Sequence, residues 1–286
     1  MKRLHETIAV VTGASRGAGR GIALTLGDEG ATVYVTGRSV RGGVTTQQRP
    51  ETIDATAEAV SARGGLGIPA RCDHTDDADI EALFKRVEQE QGRIDLLVNN
   101  AWGGYEIMVG FDKFWEIPME HWRLMFRAGV RSHMATARLA LPLMLPHGRG
   151  LIVNTTSPVG ARYHGNVFYD VAKTAVNRMA FAMAHDLREH GIAVIALAPG
   201  WMRTEKVLDH FKTDEANWHT VADLEKTHSV EYTGRAVAAL AADAEVMQRS
   251  GQILEVADVA RAYGFTDTDG RQVPPFRELF PALFEE

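Results

Sequence analysis

Residues 12–19 read Thr12-Gly13-Ala14-Ser15-Arg16-Gly17-Ala18-Gly19. They follow an apolar, β-branched run at Thr7–Thr12 and open a helical pattern at about Arg20–Glu29. Glycines at a strand-to-helix turn allow φ > 0 and let the backbone approach a pyrophosphate, whose charge then rests on the helix N-terminus. The spacing G-x-x-x-G-x-G also suits a tight turn that binds nothing, but a strand before it and a helix after it supply the context that nucleotide binding requires. Gly13, Ser15, Arg16, Gly17 and Gly19 are therefore the candidate phosphate cradle.

Outward from this turn, short apolar runs alternate with longer helical patterns to the end of the chain, which predicts βαβ units around a parallel sheet. Strands are expected at Thr7–Thr12, Thr32–Thr36, Leu66–Cys72, Ile94–Asn99, Leu151–Asn154, Ala193–Ala198 and Gln252–Val256. Their nearly continuous apolar character is that of strands covered on both faces. Helices are expected at about Arg20–Glu29, Glu51–Arg63, Asp77–Gln91, Met119–Leu145, Tyr169–His190 and Gly234–Asp243. No Pro- or Ser-rich linker and no repeat divides residues 1–286, so the reading is one α/β domain with a doubly wound parallel sheet. Three segments stand outside the alternation: the polar loop Val40–Pro50, the aromatic segment 102–118 and the long mixed connection 202–231. Residues 258–286 form a C-terminal extension.

Composition narrows the function classes. The chain carries 31 basic and 37 acidic residues, a formal net charge of −6, which argues against nucleic acid as a partner because phosphate binding needs a basic stripe. No apolar stretch approaches the ~18 residues of a membrane span, and the first residues lack a signal-peptide core. One cysteine, Cys72, excludes an intrachain disulfide. Together these predict a cytoplasmic protein. The eleven histidines show no metal-binding spacing, so no metal is expected. His121, His133 and His164 suit surface or core roles better than pocket walls.

The second strand ends Tyr34-Val35-Thr36-Gly37-Arg38-Ser39, with no acid to bind a ribose 2′-hydroxyl. Arg38, joined by Arg16, is placed to pair with a 2′-phosphate, so NADP (NADPH) is favoured and NAD less so. The competing reading makes both arginines ordinary surface charges. Further along, Tyr169 and Lys173 stand four apart on one face of a helix. An ammonium near a phenol favours the phenolate and brings its pKa, ~10 when free, towards neutrality, which suits a general acid/base.

Taken in order, the glycine turn at 12–19, Asp73, Asn99-Asn100-Ala101, Ser157, Tyr169-x-x-x-Lys173 and Pro199-Gly200 resemble the short-chain dehydrogenases/reductases over roughly residues 5 to 257. The resemblance implies a Rossmann-type NAD(P)-binding domain and an enzyme, an NADP(H)-dependent oxidoreductase interconverting a carbonyl and an alcohol. It makes Tyr169 the acid/base, Lys173 the group that lowers its pKa and holds the nicotinamide ribose, and Ser157 the donor to the substrate oxygen. Ser157 is otherwise a strand-end serine. Asp73 touches the adenine or caps a helix, Asn99 ties strands together, the backbone near Ala101 lines the adenosine ribose, and Pro199, Gly200 and Thr204 receive the carboxamide. A homodimer or homotetramer through the two long helices is also implied.

The sequence departs from the family pattern in three places. Gly129 stands where members commonly carry an asparagine that anchors a water, Ser157 precedes Tyr169 by one residue fewer than usual, and Asn-Asn-Ala-Gly reads Asn99-Asn100-Ala101-Trp102-Gly103-Gly104. A glycine inside a helix asks for a reason, such as a kink or the close approach of another group. These features, with Phe114-Trp115-Glu116, Val130-Arg131-Ser132-His133 and the tail motif from Arg261 to Val273, resemble the member 1 branch of the family, in which reduction of steroid and other hydrophobic carbonyls is expected. Trp102, Tyr105 and Trp115 are candidate substrate contacts, or else a plug over the sheet edge. The stripe Phe276, Leu279, Phe280, Leu283, Phe284 suits packing on this or a neighbouring subunit better than a membrane. The altered positions also admit a non-catalytic dinucleotide sensor or scaffold on the same fold.

Overall fold

Seven parallel strands form one sheet in a computed structural model that describes residues 2–104, 113–157, 163 and 165–281. They are β1 (Ile8–Val11), β2 (Thr32–Gly37), β3 (Leu66–Arg71), β4 (Leu96–Asn99), β5 (Gly150–Thr155), β6 (Ile192–Ala198) and β7 (Ile253–Glu255). The order is β3-β2-β1-β4-β5-β6-β7. The chain runs outward from β1 through β2 to β3, then returns to place β4 on the other side of β1, with Val11 opposite both Val35 and Val98. That reversal opens a crevice beyond the carboxyl ends of β1 and β4, the place where such sheets bind ligands.

Burial explains why these runs are strands. Every residue of β1, β4 and β6 is buried, whereas the edge strand β3 exposes Leu66 and accommodates Pro69, whose missing N–H an edge tolerates. On one face pack α1 (Gly17–Asp28), α2 (Ile53–Ala62), α8 (Val230–Ala242) and α9 (Val256–Tyr263), around Ile22, Leu26, Val60 and Leu240. On the other lie α3 (Asp77–Gln91), α5 (Ser132–Met144) and α6 (Val167–Leu187), around Phe84, Ala140, Val176 and Met183. The single helix expected over Met119–Leu145 is divided. It comprises α4 (Met119–Phe126), a π turn over Arg127–Arg131 and then α5.

The connection 202–231 carries short helical pieces, including α7 (Glu205–His210), and the extension holds it down. Arg203, almost wholly buried, pairs with Glu215 at 3.0 Å, stands 3.7 and 3.8 Å from Asp267 and Asp269, and donates to the Thr227 carbonyl at 3.1 Å. Its guanidinium lies 4.0 Å from the Trp218 ring centroid, and Arg271 stands 4.6 Å from the same ring. Buried Asp267 also accepts the Ser229 N–H at 2.8 Å and the Ser229 hydroxyl, at the N-cap of α8. Residues 265–271 are thus ion-paired to the segment that borders the crevice. Arg203→Ala leaves Asp267 buried without its cation, a loss expected to cost about 3–5 kcal/mol in urea unfolding. Exposed Arg123→Ala, which loses only a surface pair with Glu120, is expected to stay within about 0.5 kcal/mol.

Candidate functional site

A cleft of about 900 Å³ occupies the crevice, bounded at one end by the glycine turn and at the other by Tyr169, Trp201 and Phe211. Gly13 and Gly17 adopt φ of 64° and 56°, and a Cβ on Gly13 would lie 3.0 Å from the Ala101 Cα. The turn is clamped to the end of β4. The Thr12 hydroxyl accepts the N–H groups of Asn100 at 2.8 Å and Ala101 at 2.9 Å, while the Asn100 amide donates to the Thr12 and Gly13 carbonyls at 2.9 and 3.1 Å. The N-terminus of α1 already holds an anion, since the Glu205 carboxylate accepts the Gly17 N–H at 2.9 Å. Arg16 donates to the Thr46 hydroxyl at 2.8 Å, and Thr46 meets the Ser39 hydroxyl at 3.1 Å.

At the other end, the Asn166 side chain caps α6 by accepting the Tyr169 N–H at 3.0 Å, which sets Tyr169 in the first turn. One turn on, Lys173 is buried, with its ammonium 5.8 Å from the Tyr169 ring centroid and 4.0 Å from that of Trp102. Trp102 meets Tyr169 edge-on at 5.7 Å. Here lies the reason for Gly129, because a Cβ at that position would fall 2.2 Å from Trp102 Cε3 and Cζ3. The indole occupies the place of a side chain, beside the π turn.

Of the residues singled out in the sequence, the cleft is lined by Gly13, Ser15, Arg16, Gly17, Arg38, Asp73, Ala101, Trp102, Ser157, Tyr169, Lys173, Pro199, Gly200 and Thr204. Gly19 lies behind the turn, against Gly13 and Asn100. Asn99 is buried away from the cleft, donating to Asn154 Oδ1 at 3.0 Å and the His133 carbonyl at 3.3 Å. Asp73 is no helix cap. Asp76 caps α3, and Asp73 accepts the Thr75 N–H and hydroxyl at 2.9 and 2.8 Å. Trp115 stands 69% exposed beside Phe114 and away from the cleft lining, because in its turn only Ile117 turns inward. Tyr105, His164, Leu283 and Phe284 lie outside the described residues. Sequence reasoning missed Glu205 and Thr46, which only folding brings to the turn. It missed the burial of His74 as well.

The family model for short chain dehydrogenase matches residues 7–215. Dehydrogenase/reductase SDR family member 1 of Mus musculus is 39% identical over 284 residues, covering 96% of this chain and 88% of that protein. A 7 alpha-hydroxysteroid dehydrogenase complexed with NADH and 7-oxo glycochenodeoxycholic acid superposes with a TM-score of 0.72 at 27% identity, covering 89% of this chain and 94% of the other. A single-site variant of actinorhodin polyketide ketoreductase with NADPH gives 0.72 at 27% identity over 87% and 95%. Fold and cleft define a Rossmann-type oxidoreductase that acts between carbonyl and alcohol. The chain belongs to the short-chain dehydrogenase/reductase family, on the branch of SDR family member 1. No helix among the described residues is long and apolar enough to cross a membrane, and among them no group of His, Cys, Asp or Glu is placed to hold a metal.

Burial governs the charges behind the cleft. It pushes Cys72 up to about 12, so the thiol is inert, and drives His74 down to about 4. Desolvation and the nearby Lys173 take His133 to about 3, and desolvation brings Lys173 to about 7. Each of these bases binds its proton more tightly in the unfolded chain, so stability drops as pH falls through the range where the folded base stays neutral and the unfolded one charges. For the histidines this window lies below 6.5. Between pH 6.5 and 5 the wild type should lose about 1.4 kcal/mol per pH unit for each, and His133→Asn should lose less. For Lys173 stability rises with pH between about 7 and 10.5. Lys173→Met should therefore melt higher than wild type at pH 7 and flatten that rise. A wild-type midpoint constant from pH 6.5 to 5 would contradict the histidine assignment.

Proposed function

We propose that the protein is an NADP(H)-dependent oxidoreductase interconverting a carbonyl and an alcohol on a hydrophobic substrate of steroid-like type, with Tyr169 as acid/base. The observation that carries this reading is Tyr169 and a buried Lys173 on one helix face, lining the same cleft as an anion-binding glycine turn. The cofactor fits on the structure's own terms, since the Gly17 N–H donates to a carboxylate where a pyrophosphate would rest. Bound, it supplies or accepts the hydride. Ser15, Gly17 and Ala18 would hold the pyrophosphate, with Glu205 giving way, and Asp73 and the Ala101 backbone would border the adenosine.

Each protein group has a derivable task. Tyr169 gives its hydroxyl proton to the substrate oxygen during reduction and takes it back during oxidation. The Lys173 ammonium favours the phenolate electrostatically, and the N-terminal dipole of α6 acts in the same sense. Ser157 donates to the substrate oxygen and orients it. Pro199, Gly200 and Thr204 border the carboxamide end, and Trp102, Trp201 and Phe211 make an apolar wall for the substrate.

The preference for NADP over NAD rests on Arg38 and Arg16 with Ser39 and Thr46 at the end of β2, which carries no carboxylate of its own. The two solved relatives hold NADH and NADPH respectively, so charge at this corner is the discriminating feature. A second copy of the chain is assigned to the outer faces of α5 and α6, where Met134, Val171 and Phe181 are exposed. Light scattering that finds only monomer would remove it. Cytoplasmic location, supported by the single unpaired cysteine, is checked by cell fractionation.

Tyr169→Phe is expected to lower kcat by roughly 10²–10⁴-fold on a steroid or quinone ketone while NADPH quenching of tryptophan fluorescence persists. Near-normal turnover would overturn the acid/base assignment. Turnover absent from the wild type across a broad carbonyl panel, with NADPH still bound, would instead establish the sensing role. Arg38→Ala should raise the KM for NADPH about tenfold or more and leave that for NADH nearly unchanged. Equal effects on both cofactors would count against a 2′-phosphate site.

A further inference from the structure

Trp102 is packed in a way that its own chemistry does not explain. The indole is wedged between two glycines, since a Cβ on Gly104 would lie 2.3 Å from its Nε1 and a Cβ on Gly129 would lie 2.2 Å from its ring carbons. Its N–H is buried, and among the described residues nothing accepts it. Buried donors without partners are uncommon and costly, and a phenylalanine would have filled the slot without that cost. The ring must be held for something other than its hydrogen bond. What lies on its face is the Lys173 ammonium, 4.0 Å from the ring centroid. Among the described residues, no carboxylate comes within ion-pair distance of that ammonium.

We infer that Trp102 is the positioning residue of the proton-transfer pair, its indole face holding the Lys173 ammonium beside Tyr169 in place of an anionic partner. The inference rests on the assignment of Tyr169 and Lys173 made above. A cation over an indole face is attracted by the ring quadrupole, and the attraction grows when water is excluded. A carboxylate would also hold a lysine, but it would cancel the positive field that favours the phenolate. A neutral ring holds the cation and leaves its field intact. Desolvation has already brought Lys173 to about 7, so a neighbour that favours the charged form decides whether charge is present at the working pH. The edge-on contact between Trp102 and Tyr169, at 5.7 Å and 87°, sets both partners of the pair against one ring. Gly129 follows from this arrangement, because any side chain there would displace the ring from the ammonium.

The test separates this role from packing and from the acid/base assignment. Tyrosinate absorbance is titrated in cofactor-free protein, and the curve of Tyr169→Phe is subtracted to isolate Tyr169. Trp102→Leu should move the ionisation of Tyr169 to higher pH and shift the pH profile of alcohol oxidation the same way, with kcat down about tenfold or more. Trp102→Phe keeps a π face and should shift the Tyr169 titration less than Trp102→Leu does. Its readout is the titration rather than turnover, because the ring also lines the cleft. If Trp102→Leu does not fold, Gly129→Ala takes its place, since the added methyl pushes the ring aside without deleting it. The same alkaline shift is expected from it. A folded Trp102→Leu or Gly129→Ala with an unmoved Tyr169 titration overturns the inference, as does a Trp102→Phe whose Tyr169 titration shifts as far as that of the leucine variant. An active Tyr169→Phe would instead defeat the acid/base reading beneath it.

Discussion

One hydroxyl joins the two halves of the sheet at the point where the molecule works. Thr12, at the end of β1, accepts two backbone N–H groups from Asn100 and Ala101 at the end of β4, and Asn100 returns two hydrogen bonds to the carbonyls of Thr12 and Gly13. The strands diverge beyond this clamp, because β1 hands over to α1 on one face and β4 leads towards α4 and α5 on the other. The crevice between them is a consequence of strand order, and the clamp fixes how far its floor opens. With Gly13 set against the Ala101 backbone, the α1 N-terminus points into the cleft and offers its N–H groups to an anion.

Desolvation sets the charge of the basic groups buried behind the cleft. Lys173, His133 and His74 are three basic groups packed in low-dielectric surroundings, and each is held below its ordinary pKa. This is a cost to the folded state, of the kind that clusters at sites where protons move. It is offset by the two apolar layers around the sheet, in which all seven residues of β6 are buried. Arg203 and Asp267 secure the segment that borders the cleft from the other side, through a buried pair whose worth lies in holding the extension in register more than in net stability.

Much was legible in the chain before it folds. The alternation of apolar runs and helical periods placed the seven strands within a residue or two, because the inner strands are buried on both faces and even the partly exposed edge strands β3 and β7 stand between helical periods. Glycine spacing located the anion site for a similarly local reason, since positive φ and close approach to β4 are demands that few residues other than glycine meet. The spacing of Tyr169 and Lys173 put them on one helix face, but only the family resemblance singled them out as a pair, since a tyrosine and a lysine four apart occur by chance in many helices. The division of the helix at 119–145 could not be read from the chain, although Gly129 marked the place, because the group packed on that glycine is an indole from residue 102 and no local pattern records which side chain will arrive. Trp115 shows the opposite error. An aromatic in a loop reads as a pocket wall, yet its turn leaves it facing solvent.

By itself the sequence determined the class of fold, a doubly wound parallel sheet, the glycine turn between β1 and α1, and the placing of Tyr169 and Lys173 on one helix face, all of which depend on periodicity or on contacts within one helical turn. The tertiary structure alone decided that Glu205 sits on the Gly17 N–H, that Arg16 meets Thr46, that the tail is ion-paired to Arg203, and that Trp102 fills the room left by Gly129. All of these contacts join residues far apart in the chain, Gly17 and Glu205 by 188 positions. Which of many possible partners meet at such separations is settled by the packing of whole elements and by burial, quantities that exist only once the chain has closed on itself.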